Sequence, residues 1–512
     1  MKGPRILSLL LTVTLLLGLV AIPTALADDD PVKIVVKTMC LGPVPSGVAE
    51  VEAAINEISI PAINVEIEFQ VTSVSEYGQQ IGLMMSSGEQ LDLVLAYPAA
   101  PANLSSMYSM GQVMDLTDLL DEYGQGILAE LAGVNESFID GTSFDGSPYG
   151  VTCLYNKVST QYLLFRGDIL DKYEIDINEI ETYSDLEAVY DIILENEPTM
   201  ILIVGMMQGT GVITFRYHET LDSIFTDSTK YFDAFGSAGD TGYGIVLYDD
   251  PYTVVDPRKT EAYLENLNQV YDWYQKGYVY KDAAISVDMP ETLASSGNVF
   301  SFYMGSETGV EAVKSAQIGY PIRALALDQG TIKPSMLNAF VWCISSTSKL
   351  PEAAMKFMNL MYTSDEINNL MAWGIEGRDY VVVDGIATYP EGVTSQTVAY
   401  HTADFLVPNQ YRVVPWEGIG SSAELREQVL EENLNAIASP LLGFIYDQSN
   451  VTNEAAAVAN VIAEHSPALV SGVVSAEEGL QAYLDDLEDA GIDIILADMQ
   501  AQLDAFWASK EE

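Results

Sequence analysis

Between Lys33 and Ala96 the period of the apolar residues changes four times, and that alternation constrains the fold more than any other feature of the chain. Lys33 to Cys40 is a β-branched run that stops at Gly42-Pro43, which predicts a strand. Gly47 to Ile58 follows with helical spacing and ends before Pro61. Asn64 to Thr72 alternates Val65, Ile67, Phe69 and Val71 with polar residues, the period of a half-buried strand. Tyr77 to Ser87 places Ile81, Met84 and Met85 on one helical side, with Gly88 as the stop. Leu91 to Ala96 is apolar again. Strands separated by helices cannot pair as hairpins, so this order predicts an α/β domain with a largely parallel sheet.

The alternation resumes downstream. Leu186 to Ile193 reads as a helix and Met200 to Met207 as a strand. Glu261 to Lys276 is amphipathic, with Tyr263, Leu267, Val270, Tyr271 and Tyr274 on one face before Gly277. Val299 to Met304 and Ala339 to Ile344 read as strands, and from Pro351 onwards the pattern is mainly helical. Ser421-x-x-Glu424 and Ser475-x-x-Glu478 are capping-box sequences. At 512 residues the chain has room for about three domains or two large lobes.

The first residues predict the compartment. Lys2 and Arg5 precede an apolar stretch from Ile6 to Val20, and Ala25-Leu26-Ala27 precedes three aspartates. That is the layout of a secretory signal peptide (1–27) cut after Ala27, and the stretch is shorter than the ~20 residues that span a bilayer. The exported protein is then secreted or associated with the cell surface, without a lipid-acceptor cysteine at the cut.

Charge excludes other classes. With 74 acidic against 22 basic residues the net charge is −52, yet 48% of residues are apolar, so the chain has a core to bury. It lacks the basic footprint that nucleic acid or an anionic membrane surface requires. Three scattered cysteines, Cys40, Cys153 and Cys343, imply no disulfide framework and are read as buried thiols. Three isolated histidines give no metal-ligand pair, and Asp171 to Glu181 lacks the central glycine of an EF-hand loop. No cofactor and no metal are expected. No nucleophile elbow, P-loop or dinucleotide fingerprint is present, so no catalytic residue is nominated.

Aromatic residues gather with polar ones at predicted strand ends: Tyr97-Pro98, Ser147-Pro148-Tyr149-Gly150, Phe300 to Tyr303, Trp342, Trp373 to Tyr380, and Asn409 to Gly418. In open α/β sheets ligands collect at the carboxyl ends of strands. Sugars suit such residues, since an aromatic face covers the C–H side of a pyranose while carboxylates, amides and guanidinium groups bond to its hydroxyls.

Several stretches then match a known family in order and spacing. They are Glu76-Tyr77-Gly78-Gln79-Gln80-Ile81, Met85 to Glu89, Leu116-Thr117-Asp118-Leu119-Leu120, Phe165-Arg166-Gly167-Asp168-Ile169-Leu170, Gly277 to Ala283, Phe357-Met358-Asn359-Leu360-Met361-Tyr362-Thr363, the Trp373 to Tyr380 block and Leu442-Gly443-Phe444. The chain resembles the family 1 extracellular solute-binding proteins of bacterial ABC importers, sugar type, and within them a Gram-positive subgroup with a helical C-terminal domain of unknown function. The resemblance implies a two-lobed periplasmic-binding-protein-like fold of type II style that closes on its solute and is recognised by the membrane permease. Laid on this sequence, it implies crossings between lobes near 148–153, 299–304 and 338–344. Lobe one would be 31–148 plus 300–338, and lobe two 149–299 plus 339–512, with the helical C-terminal region at about 351–512.

The candidate ligand-binding residues are Tyr97, Tyr149, Tyr303, Trp342, Trp373, Glu376, Arg378, Asp379 and Trp416, chosen because each lies at a strand end, a crossing or a loop expected to face the cleft. The expected role is a monomeric, non-catalytic receptor for a carbohydrate, an oligosaccharide in particular, that delivers it to the permease. The alternatives are a receptor for peptides or another polar solute, a secreted glycoside hydrolase, and an acidic adhesive surface protein.

Overall fold

A computed structural model describes residues 30–99, 101–205, 217–218, 229–235, 242–418 and 423–510. The leader, Ser421 and the side chain of His218 lie outside the described residues. In chain order the elements used below begin with β1 (Val32–Cys40), α1 (Val48–Ile63), β2 (Val65–Ser73), α2 (Val74–Ser87) and β3 (Leu93–Ala96). Then come β4 (Val151–Thr152), β5 (Thr160–Arg166), β6 (Ile201–Val204), α3 (Glu261–Lys276), β7 (Val299–Ser306), α4 (Val310–Ile318), β8 (Ile322–Ala326), β9 (Thr331–Ile332) and β10 (Val341–Ile344). The last are α5 (Pro351–Thr363), α6 (Asp365–Trp373), α7 (Ala423–Asn435), β11 (Ile437–Ala438), α8 (Thr452–Val470), α9 (Ala476–Ala490) and α10 (Ile492–Lys510).

The N-terminal alternation folds as its period dictates. β1 pairs in parallel with β2 over nine residues and with β3 on its other side. Asn64 and Gly88, both in the left-handed region, end the two intervening helices and turn the chain back toward the sheet. This sheet has the order β2-β1-β3-β10-β4, and its core holds Ile34, Val36, Leu93, Leu95 and Trp342. A second sheet has the order β8-β5-β7-β6. Successive residues of its strands go to opposite faces, Leu163 and Phe165 to one apolar cluster and Leu164 to another. It is therefore covered on both sides, as its continuous apolar strands require.

Two expectations need correction. Both sheets are mixed, because β10 runs antiparallel to β3, and β5 is antiparallel to β7 and β8. The lobes also divide differently. Strands β7 and β8 pair with β5, which places 299–326 in the second lobe, while β10 pairs with β3 in the first. Segment 299–304 is thus an interior strand of the second sheet and not a crossing. The helices α5 and α6 and the loops to Trp416 pack on the first sheet, so the C-terminal region is split. Its later part, from Leu441 to Leu503, forms a separate core with Phe235, Ile245, Val246 and the outer face of α3. Hydrogen-bonding partners far away in sequence decide each of these placements, and periodicity is blind to them.

Three segments lie side by side, two passing between the sheets and the third running to the C-terminal core, which shares α3 with the core of the second sheet. One is 153–159, leading from β4 to β5; a second is 327–340, leading from β8 to β10; the third is α7 with β11, leading from the first lobe to the C-terminal core. Ser159 bridges to Thr331, and β9 pairs in parallel with β11. Among the described residues the three cysteines are free and buried, and no helix is long and apolar enough to cross a membrane. Ser475 caps α9 by accepting from the Glu478 N–H.

Candidate functional site

A cavity of about 230 Å³ opens where the lobes meet. Each side contributes through an element end. Asn156 comes from the first connecting segment, Glu307 and Thr308 from the carboxyl end of β7, and Val313 from α4. Asp404, Gln410, Tyr411, Pro415 and Trp416 come from first-lobe loops, and Leu425, Arg426 and Val429 from α7. Apolar and polar groups share the wall, as in sites that hold a polar solute by a few fixed hydrogen bonds.

Trp416 is half-buried and is held by an aromatic stack. Its ring centroid lies 4.8 Å from Trp373, 4.4 Å from His401 and 4.7 Å from Tyr389. Trp373 is itself buried, and its indole Nε1 donates to the Val414 carbonyl at 2.8 Å. That bond fixes the loop carrying Trp416. Burial lowers the pKa of His401, so the imidazole in this stack favours its neutral form.

The polar wall is wired together. Asn156 Nδ2 donates to Glu307 Oε2 at 3.1 Å and, at 3.5 Å, to Glu432 Oε2, while Asn433 Nδ2 donates to Asn156 Oδ1 and to the Tyr411 hydroxyl. Much of Glu307 is exposed, but its carboxyl turns inward. Desolvation, together with the Glu432 and Asp404 carboxylates, raises its pKa. Arg426 Nη1 donates to the Gln410 and Val413 carbonyls, and Nη2 approaches Asp404 at 4.0 Å, so this cation mainly anchors the loop.

Of the nine nominated residues, Trp416 lines the cavity and Trp373 supports it from behind. The others lie elsewhere. Trp342 is fully buried in the middle of the first sheet, between β3 and β4, and Tyr303 is buried in the core of the second. Both are core residues because their strands are interior strands. Tyr97 packs edge-on to Tyr77, and Tyr149 packs against Tyr108 and Phe144 on the first lobe. Asp379 is fully buried and accepts from the Ile375 and Tyr400 N–H groups and from Arg378, which makes the Arg378–Asp379 pair a knot that closes its own loop. Glu376 is exposed beside that knot.

Asn156, Glu307, Asp404 and Arg426 were not nominated. Tyr411 and Gln410 fall in the aromatic and polar block around 409–418, whereas nothing local marks Asn156 or Glu307 beyond their place just after a strand.

Two α/β lobes joined by three adjacent segments, with a cavity at the junction, define a two-lobed binding protein. The bacterial extracellular solute-binding protein family matches residues 53–377, and a domain of unknown function (DUF3502) matches 440–508, the region of the C-terminal core. The chain belongs to this family of extracellular solute-binding proteins. It is 25% identical over 486 residues to a carbohydrate ABC transporter substrate-binding protein of Streptococcus pneumoniae serotype 4, covering 95% of this chain and 93% of that one. In fold it is similar to the N-glycan transport solute-binding protein NgtS of Streptococcus pneumoniae, with a TM-score of 0.71, 23% identity, and coverage of 93% of this chain and all of the other. The NgtS complex with Man1GlcNAc gives 0.58 at 22% identity over 93% and 99% of the two chains. An extracellular solute-binding protein of Bifidobacterium longum subsp. infantis gives 0.61 at 16% identity over the same shares.

Proposed function

We propose that this chain is the receptor of an ABC importer and that it captures an oligosaccharide at the lobe junction and hands it, unchanged, to the membrane permease. The observation that carries the reading is the cavity itself. Trp416 offers a ring face held rigidly by Trp373 and His401, and Asn156, Gln410, Glu307 and Asp404 stand around it as hydrogen-bonding groups. A pyranose covers its C–H face on the ring and directs its hydroxyls to the amides and carboxylates. Contacts made by both lobes favour the closed arrangement, and closure is a hinge motion on the connecting segments. The similarity to a carbohydrate receptor over nearly the whole chain and the fold shared with a glycan-binding protein support the choice of solute. In this reading the protein is exported, loses its leader after Ala27 and works as a monomer.

A thermal-shift screen of the mature protein against mono- and oligosaccharides, peptides and amino acids tests the proposal. A ligand at 100 times its Kd adds about 2.7 kcal/mol. Stabilisation by peptides and by no glycan would overturn the sugar assignment, and release of reducing ends from the bound glycan would overturn the non-catalytic role.

A further inference from the structure

Lys157 is completely buried in the first connecting segment, and among the described residues no carboxylate pairs with it or shapes its electrostatics. Its ammonium donates to the carbonyls of Met336 at 3.2 Å and Ala339 at 2.9 Å, both in the second connecting segment, and stands 3.8 Å above the centre of the Tyr155 ring. Its backbone N–H donates to Oδ1 of Asn433, the fully buried residue near the end of α7 that opens the third segment. Asn433 is also bonded to Asn156 and Tyr411, which line the cavity. One lysine therefore touches all three segments and is two hydrogen bonds from residues that line the cavity.

A buried cation without a counter-charge costs stability, so its position at the junction asks for a use. We propose that Lys157 is the pin of the hinge: its bonds to Met336, Ala339 and Asn433 hold the three segments in one arrangement, and that arrangement is tied through Asn433 and Asn156 to the cavity. Lys157 is thus a positioning residue for lobe closure. Only the tie to a bound sugar rests on the function proposed above.

The same burial makes the pin adjustable. Desolvation pushes the Lys157 pKa down from 10.5 to about 7. Of the groups facing it, Cys153 acts in the opposite direction, raising the Lys157 pKa by less than burial lowers it. Cys153 is a thiol whose own pKa is pushed up to about 12, and Tyr155 presents its ring. The second segment presents the Met336 and Ala339 carbonyls, and the third presents Asn433. Tyr411, on Asn433, and Glu307 and Glu432, on Asn156, stand one hydrogen bond further out. As the pH rises through about 7 the ammonium becomes an amine and its charge-assisted bonds to the two carbonyls become ordinary ones, roughly half as strong. The hinge then loosens.

Spin labels at Leu41→Cys in the first lobe and Ile285→Cys in the second, both exposed while the native cysteines are buried, report the distance across the cleft in the full mature chain without any ligand. The distance distribution is expected to be narrow at pH 6 and broader at pH 8.5, with its midpoint near 7. Lys157→Arg, which stays charged, should be narrow at both, and Lys157→Met, which keeps the backbone bond to Asn433 but has no side-chain donor for the Met336 and Ala339 carbonyls, broad at both. A wild-type width that does not change with pH, or a Lys157→Met width equal to that of the wild type at pH 6, would overturn the proposal; should the Met variant not fold, a Lys157→Arg variant that broadens with pH would do so. With a glycan that binds, affinity should weaken about threefold from pH 6 to 8.5 in the wild type and stay level in Lys157→Arg. If no glycan binds at all, the sugar assignment fails while the ligand-free distances still decide the role of Lys157.

Discussion

The middle of the first sheet and the lobe junction use the same residue type in opposite ways. Trp342 sits in β10 with its ring wholly enclosed by apolar neighbours, while Trp416 leaves part of its ring in a cavity rimmed by amides and carboxylates. In the core the indole serves as volume. At the junction it serves as a surface, which is why it needs a rigid backing of Trp373, Tyr389 and His401 in place of an enclosing shell. Enclosure is set by how many strands flank a residue, and a partly open ring face arises where the two lobes stop short of each other and leave a cavity.

Truncation should separate the two regions most sharply. Trp342→Ala removes a fully buried ring and is expected to cost about 3–5 kcal/mol, seen as an earlier unfolding transition in denaturant. Unchanged stability would show that the ring is not the filler its burial implies. Trp416→Ala should leave the ligand-free melting temperature nearly unaltered and weaken glycan affinity about tenfold, a loss of ~1.4 kcal/mol measured by calorimetry. A variant that melts early but binds normally would make Trp416 a second core residue and erase the contrast.

Buried charge sharpens the comparison further. The folded-state pKa of Lys157 is lowered to about 7 from 10.5, so between these values the unfolded chain binds the proton and the native one does not. Stability from this group therefore rises with pH across that window and is absent below it. Measured against the wild type, Lys157→Met should accordingly look best near pH 6 and lose ground steadily toward pH 10. A constant difference would mean that the lysine is charged, or neutral, throughout. The smallest effect is expected at the rim: the Glu307 pKa is raised, so its ionised form opposes folding as pH rises through that value, and Glu307→Gln should raise the melting temperature slightly at pH 7 and not at pH 4. An equal rise at both pH values would remove the carboxylates around it as the cause.

The two tryptophans also show what was legible. Phe340-Val341-Trp342-Cys343-Ile344 is an unbroken apolar run that reads as a strand, but its position at an expected crossing made Trp342 a ligand candidate, and only the pairing of β10 with β3 and β4 makes it core. Trp416 stands between Pro415 and Glu417-Gly418, a setting that keeps a large ring near the surface. Asp379 had no such local sign. Whether a carboxylate bonds to solute or to backbone N–H groups depends on where Ile375 and Tyr400 bring their amides, and Tyr400 is 21 residues away. Asn156 and Asn433 were illegible for the same reason, since they are 277 residues apart and meet only when α7 crosses the first connecting segment.

The sequence alone determined the strand and helix order of 33–96, the burial of the three thiols, the acidic and apolar balance of a folded chain, and membership of the solute-binding family through motifs spread along its length. These are local or compositional properties, read from periods of two and 3.6 residues and from residue counts. Only the tertiary structure decided that β7 and β8 belong to the second sheet and β10 to the first, that Trp416 and not Trp342 faces the cavity, and that one lysine joins three connecting segments. Those outcomes depend on pairings between residues far apart in the chain, whose closure is settled by competition among all compatible strands and leaves no mark in any short window of sequence.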